Sequence, residues 1–364
     1  RQKAPLAAQL LFLILLTNTP MLTFLGASIN YDNLTILLSV VALYWLTTFL
    51  DSSKATPFWA GTAAVLAGCL TKTAFLPLAI LILAVLVWRL AGADWRNRIR
   101  ALRPDSRKGV VLCVLAALLF AGNLALYGGN LVRYGSPFPS YDAVVGQENA
   151  MQNRIFARQW ILRQYYREEI DHEQAVRLAQ AIPHRTERAA TLRLLEAEQS
   201  RRATGESFTP VDRISYAWFW LGTVLLQITG VSAHAALVKH GLVFGLYQLV
   251  FVVGLFAVAR HLKRTDENGH AVESLVLFAG YVLFLMQYVN YGAYVASHSA
   301  GMGLQGRYIF PVLAPLYGLI SLYMLKPLPA AFRYGLLAAI AALFIWGDFF
   351  YFVAHAGPVF FQTD

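Results

Sequence analysis

Long apolar runs recur along this chain, most of them near 20 residues, the length that crosses a bilayer as helix. They leave few folds open. A backbone inside lipid must satisfy its own hydrogen bonds, so it spans as helices or as a closed barrel. A barrel would show short segments of alternating polarity instead. The chain has 364 residues, of which 57% are hydrophobic and 14% charged, and its mean hydropathy is +0.51. Soluble domains carry about 25% charged residues. The expected fold is therefore an all-α polytopic membrane protein. Cys69 and Cys113 both fall inside apolar runs, so neither a disulfide nor a metal site is expected from them.

The segment Trp88–Lys108, WRLAGADWRNRIRALRPDSRK, sets the orientation. It carries Arg89, Arg96, Arg98, Arg100, Arg103, Arg107 and Lys108 against Asp94 and Asp105, between two apolar runs. A short, strongly basic loop stays on the cytoplasmic side. The net charge of +10 follows mainly from such flanking clusters. Topology and anionic membrane lipid explain it better than nucleic acid does.

Nine spans follow: 9–25, 34–50, 58–70, 74–87, 110–127, 242–259, 272–289, 308–325 and 334–352. Residues 1–127 hold the first five. Residues 128–212 balance eleven basic against eleven acidic residues and form an extracytoplasmic helical loop domain, its helical periodicity broken at Pro183. Residues 213–235 read as an interfacial or re-entrant helix, which keeps Arg260, His261, Lys263 and Arg264 inside. Residues 236–364 hold the last four spans, with 290–307 as an outer loop. The chain begins with Arg1 and has no cleavable signal pattern; it is expected to be the remainder of a longer protein.

This topology gathers polar groups on the outer face: Asn30, Tyr31 and Asp32; Lys72; Asn130, Arg133 and Tyr134; Asp212 and Arg213; His298; Gln305, Arg307 and Tyr308. No zinc, Walker or Rossmann pattern is present. Lys72 lies between apolar segments with no acid near it in sequence, where a charge costs roughly 2.5–3.5 kcal/mol at mid-bilayer. It either snorkels outward or meets a phosphate. Arg307, in QGRYIFP, either anchors an interface beside Tyr308 or offers its donor fork to phosphate oxygens. Gly301, Gly303 and Gly306 would let backbone approach a ligand, and Pro311 and Pro315 predict an irregular start to the span. Asp32 caps a helix or binds an acceptor or a divalent cation, the one cofactor these residues suggest. Asp142, Glu148 and Asp212 are further outer acids, and His298 is a candidate base. Asp348 lies deep in the last span.

INYDN, CLTKTAFLPLAI, NLVRYGSP and QGRYIFPVLAPL together resemble the membrane core of bacterial integral-membrane glycosyltransferases with the GT-C fold. A bacterial membrane-protein family sharing the QGRY-F-P segment is most similar. The resemblance implies a multi-pass protein of the bacterial cytoplasmic membrane with its active face outside. It implies inverting transfer of a sugar from a polyprenyl-phosphate donor to a lipid, glycan or protein acceptor. Asp32 would be the catalytic candidate, and Lys72, Arg307, Tyr308, Gln305, Arg133 and His298 would bind substrate. The family's acid-bearing first outer loop would lie ahead of Arg1. A transporter or flippase, or a non-catalytic membrane scaffold, is the alternative from other classes.

Overall fold

The computed structural model describes residues 4–26, 31–91, 99–100, 102–104, 106–232, 236–237, 241–262, 270–351 and 354. Asn30, Asp94, Arg96, Arg98, Asp105, Lys263 and Arg264 lie outside them. The described chain is almost wholly helical, with one short antiparallel pair, Val231–Ser232 with Ala236–Leu237. Among the described residues seven helices are long and apolar enough to cross a membrane: Tyr31–Ser52, Thr73–Leu90, Arg107–Tyr134, Gly241–His261, Ala271–Ser297, Gly306–Leu325 and Ala330–Asp348. The other two expected spans are shorter apolar helices, Leu6–Thr17 and Ala55–Thr71. The protein is a polytopic helical membrane bundle.

The chain divides into two compact units, one of residues 1–122, 220–284 and 305–364, the other of 123–219 and 285–304. In the first, Leu313–Leu325 is the central helix. It packs on Leu6–Thr17, Gly241–Leu262 and Ala271–Phe284. Of the apolar stretch of Gly306–Leu325, 72% is buried, against 11% for Arg107–Tyr134. The exposed apolar side chains of the latter, Leu118 and Phe120 among them, match a hydrocarbon solvent. Lipid does not drive helices together, so close packing does, and small residues permit it. A Cβ on Gly254 would stand 2.7 Å from Ile320, and one on Gly280 would stand 2.8 Å from Leu81.

Three expected boundaries are corrected. The single span 9–25 is two helices, Leu6–Thr17 and Pro20–Gly26. Pro20 has no N–H to donate and disfavours a helical residue before it. Side chains take up carbonyls around the break: Thr19 donates to Leu15 O at 2.6 Å and Asn18 to Ile14 O at 3.2 Å. The fifth span does not stop at Tyr127. It continues through a π-helical turn, Leu124–Gly128, to Tyr134, where Gly135 takes the left-handed conformation that ends it. The outer loop expected from Asn290 is helix as far as Ser297, closed by His298 at φ +53°. The expected irregular start at Pro311 is a 3₁₀ segment, Gly306–Val312.

The second unit has a small core of its own. Helices Arg154–Tyr166, His172–Gln180 and Arg185–Ala203 close over Ala157, Ile161, Leu162, Ala175, Ala179 and Leu195, with Met302 added from the later segment. Asp171 and Gln174 form a capping box, and the turn at Pro183 separates the last two helices. Asp212 caps helix Arg213–Gly230, accepting from the backbone N–H of Ile214 and Ser215 at 2.9 and 3.0 Å.

Gly68 offers a test of packing. A Cβ there would stand 2.5 Å from the ring of Phe75, which is fully buried. Gly68→Ala is expected to destabilise the protein by roughly 1–3 kcal/mol, read as a lower thermal midpoint in detergent. At Gly335, in helix Ala330–Ile345, an added Cβ meets nothing within 4 Å. Gly335→Ala should leave the midpoint unchanged or raise it.

Candidate functional site

Asp32 stands in the first turn of helix Tyr31–Ser52 and is 7% exposed. Lys72 follows helix Ala55–Thr71, where the backbone turns extended (φ −157°, ψ 133°) before the short 3₁₀ turn Thr73–Phe75. Pro77 then opens helix Leu76–Leu90. Arg307 sits in the 3₁₀ segment Gly306–Val312. The start of one helix, the break between two others and an irregular turn thus supply three charges to one place.

Lys72 Nζ pairs with Asp32 Oδ1, and Arg307 Nε lies 3.4 Å from Asp32 Oδ2. The Lys72 ammonium also lies 4.8 Å from the centre of the Tyr31 ring and 5.4 Å from that of Tyr308, within range of cation–π attraction. Tyr281 donates to Ala74 O at 3.0 Å and so ties helix Ala271–Phe284 to the Lys72 turn. The Lys72 and Arg307 side chains are only 19% and 16% exposed. Two cations and one carboxylate leave this trio with one formal positive charge. Arg307 Nε and Gln305 Oε1 are shielded from solvent and make no hydrogen bond. Each Asp32 oxygen faces a cation. Among the described residues no group of three or more His, Cys, Asp or Glu has metal-holding geometry.

An apolar cavity of about 590 Å³ runs between helices Tyr31–Ser52, Ala55–Thr71 and Leu76–Leu90. Trp45, Phe49, Phe58 and Leu83 line it, and Cys69 and Leu76, one turn either side of Lys72, mark one of its ends. Leu90 and Leu102 belong to its wall as well.

Asp32, Lys72, Arg307 and Tyr308 are thus brought together, with Gln305 opening the same turn. Arg133 and His298 belong to the other unit. Arg133 is exposed in the last turn of its helix, 6.0 Å from the Tyr134 ring. His298 is stacked between Tyr166 and Phe208, with centroids at 4.2 and 3.9 Å, and its Nδ1 is 3.0 Å from Glu198. This is a packed junction between the unit's two segments. Gly306 is a packing glycine, not a ligand cradle: a Cβ there would stand 2.8 Å from Ile228, and its N–H donates to Gln227. Asp348 accepts from Thr23 Oγ1 at 2.5 Å, the polar neighbour its depth requires.

Sequence reasoning missed a second polar cluster in the first unit. Arg89 pairs with Glu273, which is 2% exposed, and His270 Nε2 is 2.7 Å from Asp51. Asp51 ends the helix that Asp32 begins. Their 19-residue separation spans about 28 Å of helix, close to the ~30 Å hydrocarbon core. No local pattern links residues 89, 270 and 273. Only Arg89, within the basic segment, was marked in advance.

Two predictions follow from these pairs. Lys72→Met should destabilise the protein by roughly 1–3 kcal/mol, because it leaves the buried carboxylate short of a partner. The double variant Asp32→Asn/Lys72→Met should recover part of that loss in thermal denaturation; simple additivity would exclude the coupling. In the second unit, burial pushes the Glu198 carboxyl up, but hydrogen bonds from His298 and Arg202 and the charge of Arg201 hold it below its ordinary value. A depressed carboxylate contributes stability above its ordinary pKa of 4.5 and loses it as pH falls through the folded value. Glu198→Gln should therefore lower stability at pH 6 and flatten its acid limb, measured as thermal midpoints from pH 6 to 3.

No family model, curated protein or solved structure matches this chain. Its established class is that of a mostly helical, multi-pass membrane protein, with seven helices among the described residues long and apolar enough to cross a membrane.

Proposed function

We propose that this protein is a membrane glycosyltransferase that moves a sugar from a polyprenyl-phosphate donor to a lipid, glycan or protein acceptor. The observation that carries the reading is the meeting of Lys72 and Arg307 on one carboxylate, beside an apolar cavity that begins a turn away. A lipid phosphate presents just these two demands: a cationic receptor at bilayer depth and an apolar bed for its tail. The excess positive charge of the trio suits an arriving phosphate. As the bond from the anomeric carbon to the phosphate oxygen breaks, the electron pair stays on the phosphate. Lys72 and Arg307 stabilise that developing charge in a water-poor setting. The acceptor oxygen forms the new bond and gives its proton to a general base, for which Asp32, relieved of its cations by the phosphate, is the candidate. Asp32 holds the two cations side by side, and the incoming phosphate shares their charge with it.

The positive-inside rule puts the Arg89 end of the bundle in the cytoplasm, and so the Asp32 end on the extracytoplasmic face. Asp348 supports a second reading, transport. It lies in a π-helical turn of the last apolar helix with non-helical backbone (φ −96°, ψ −115°), and its partner Thr23 follows the break at Pro20. Irregular helices of this kind line transporter sites.

The decisive experiment measures sugar transfer from a polyprenyl-phosphate sugar in membranes carrying the protein. Lys72→Ala and Arg307→Ala should each lower turnover by ~100-fold or more at equal protein levels. Asp32→Asn should also lower it, but with a smaller rise in KM than either, because both cations remain for the phosphate. Full turnover in both cation variants would refute the reading. Flux of the donor into sealed vesicles without covalent transfer would favour transport.

A further inference from the structure

The second unit holds a cavity of about 390 Å³, distinct from the Lys72 cavity in every lining residue. Its size falls within the range of small-molecule sites. Tyr141 and Phe156 form an aromatic wall, with centroids 5.9 Å apart, and Tyr141 is 47% exposed. Asp142, Gln159, Arg163 and Ser297 converge on the same space. Gln159 and Arg163 are four residues apart on helix Arg154–Tyr166 and so share a face. Asp142 Oδ1 is shielded from solvent and makes no hydrogen bond, a state that a ligand hydroxyl would relieve.

The lining selects among ligands. A cation is opposed by Arg163, and a phosphate or carboxylate by Asp142. A wholly apolar ligand would leave both charges and the Gln159 amide unpaired. What fits is a neutral molecule with hydroxyls around its rim and a C–H face for the Tyr141 ring. The Asp142 carboxylate takes a hydroxyl proton as a charge-assisted bond, and Arg163 and Gln159 donate to hydroxyl oxygens. A pyranose carries all of these groups at once. We propose that this cavity is a saccharide-binding site for one or two neutral sugar residues. The nearby Ser140 hydroxyl, reinforced by the charge of Arg163, holds the Asp142 carboxyl below its ordinary value. It therefore accepts at neutral pH.

The test uses the full chain in amine-oxide micelles, whose headgroup carries no sugar. Saturation-transfer NMR and calorimetry are run against glucose, galactose, mannose, N-acetylglucosamine, N-acetylgalactosamine and their β-linked disaccharides. At least one should bind with a Kd of the order of 1 mM. Tyr141→Ala, Asp142→Asn and Gln159→Ala should each weaken it about tenfold, which is about 1.4 kcal/mol. Arg177→Gln, outside the cavity, should leave it unchanged. Gln159 is exposed, so its variant keeps the test open if Tyr141→Ala fails to fold. Absence of binding across the panel, or binding indifferent to all folded cavity variants, overturns the proposal. Binding is read without donor or turnover, so its outcome and that of the transfer assay are independent.

Discussion

One carboxylate shared between two cations is the interaction on which the first unit turns. In hydrocarbon an isolated charge is costly, and it persists where it is paired or reaches water. Lys72 and Arg307 are far apart in sequence and lie in irregular backbone, where helical hydrogen bonds are interrupted. Asp32, at the head of a helix packed along Ala55–Thr71, gives both a common counter-charge. The same geometry leaves the group one negative charge short.

The second polar cluster gives this arrangement a frame. Arg89 with Glu273, and His270 with Asp51, secure the far end of the helices whose near ends carry the trio. Between the two lies a length of helix that matches the hydrocarbon core. Packing in that interval depends on absent side chains as much as on present ones. Gly254 beneath Ile320 and Gly280 beneath Leu81 let helices approach where lipid supplies no squeezing force. The second unit is held by other devices: a capping box, a small aliphatic core and a histidine wedged between aromatic rings on a carboxylate.

Much of the bundle was legible in advance because hydrocarbon filters composition before it filters shape. Among the described residues the nine expected spans fall on apolar helix, seven of them in helices long enough to cross a membrane and the first divided in two. Boundaries went astray where local signals were overruled. The fifth span was expected to stop at 127, yet the helix absorbs Gly128 and Gly129 through a π-helical turn and ends only at Gly135. Pro20 divides the single expected span 9–25. Of the candidate residues, Lys72 and Arg307 were found because a lone cation in an apolar run is conspicuous. His298 and Arg133 were grouped with them by membrane side and by the resemblance, and both belong to the second compact unit.

The sequence alone determined that this chain lives in a bilayer, about how many helices it uses and which side chains would be costly there, since all three depend on residue type along a line. Tertiary structure decided which of the costly groups answer one another. Asp32 lies 40 residues from Lys72 and 275 from Arg307 along the chain, and no local preference encodes those distances. Helix packing set them, because a buried charge is satisfied by whatever the fold brings within a few ångströms and not by its neighbours in the chain.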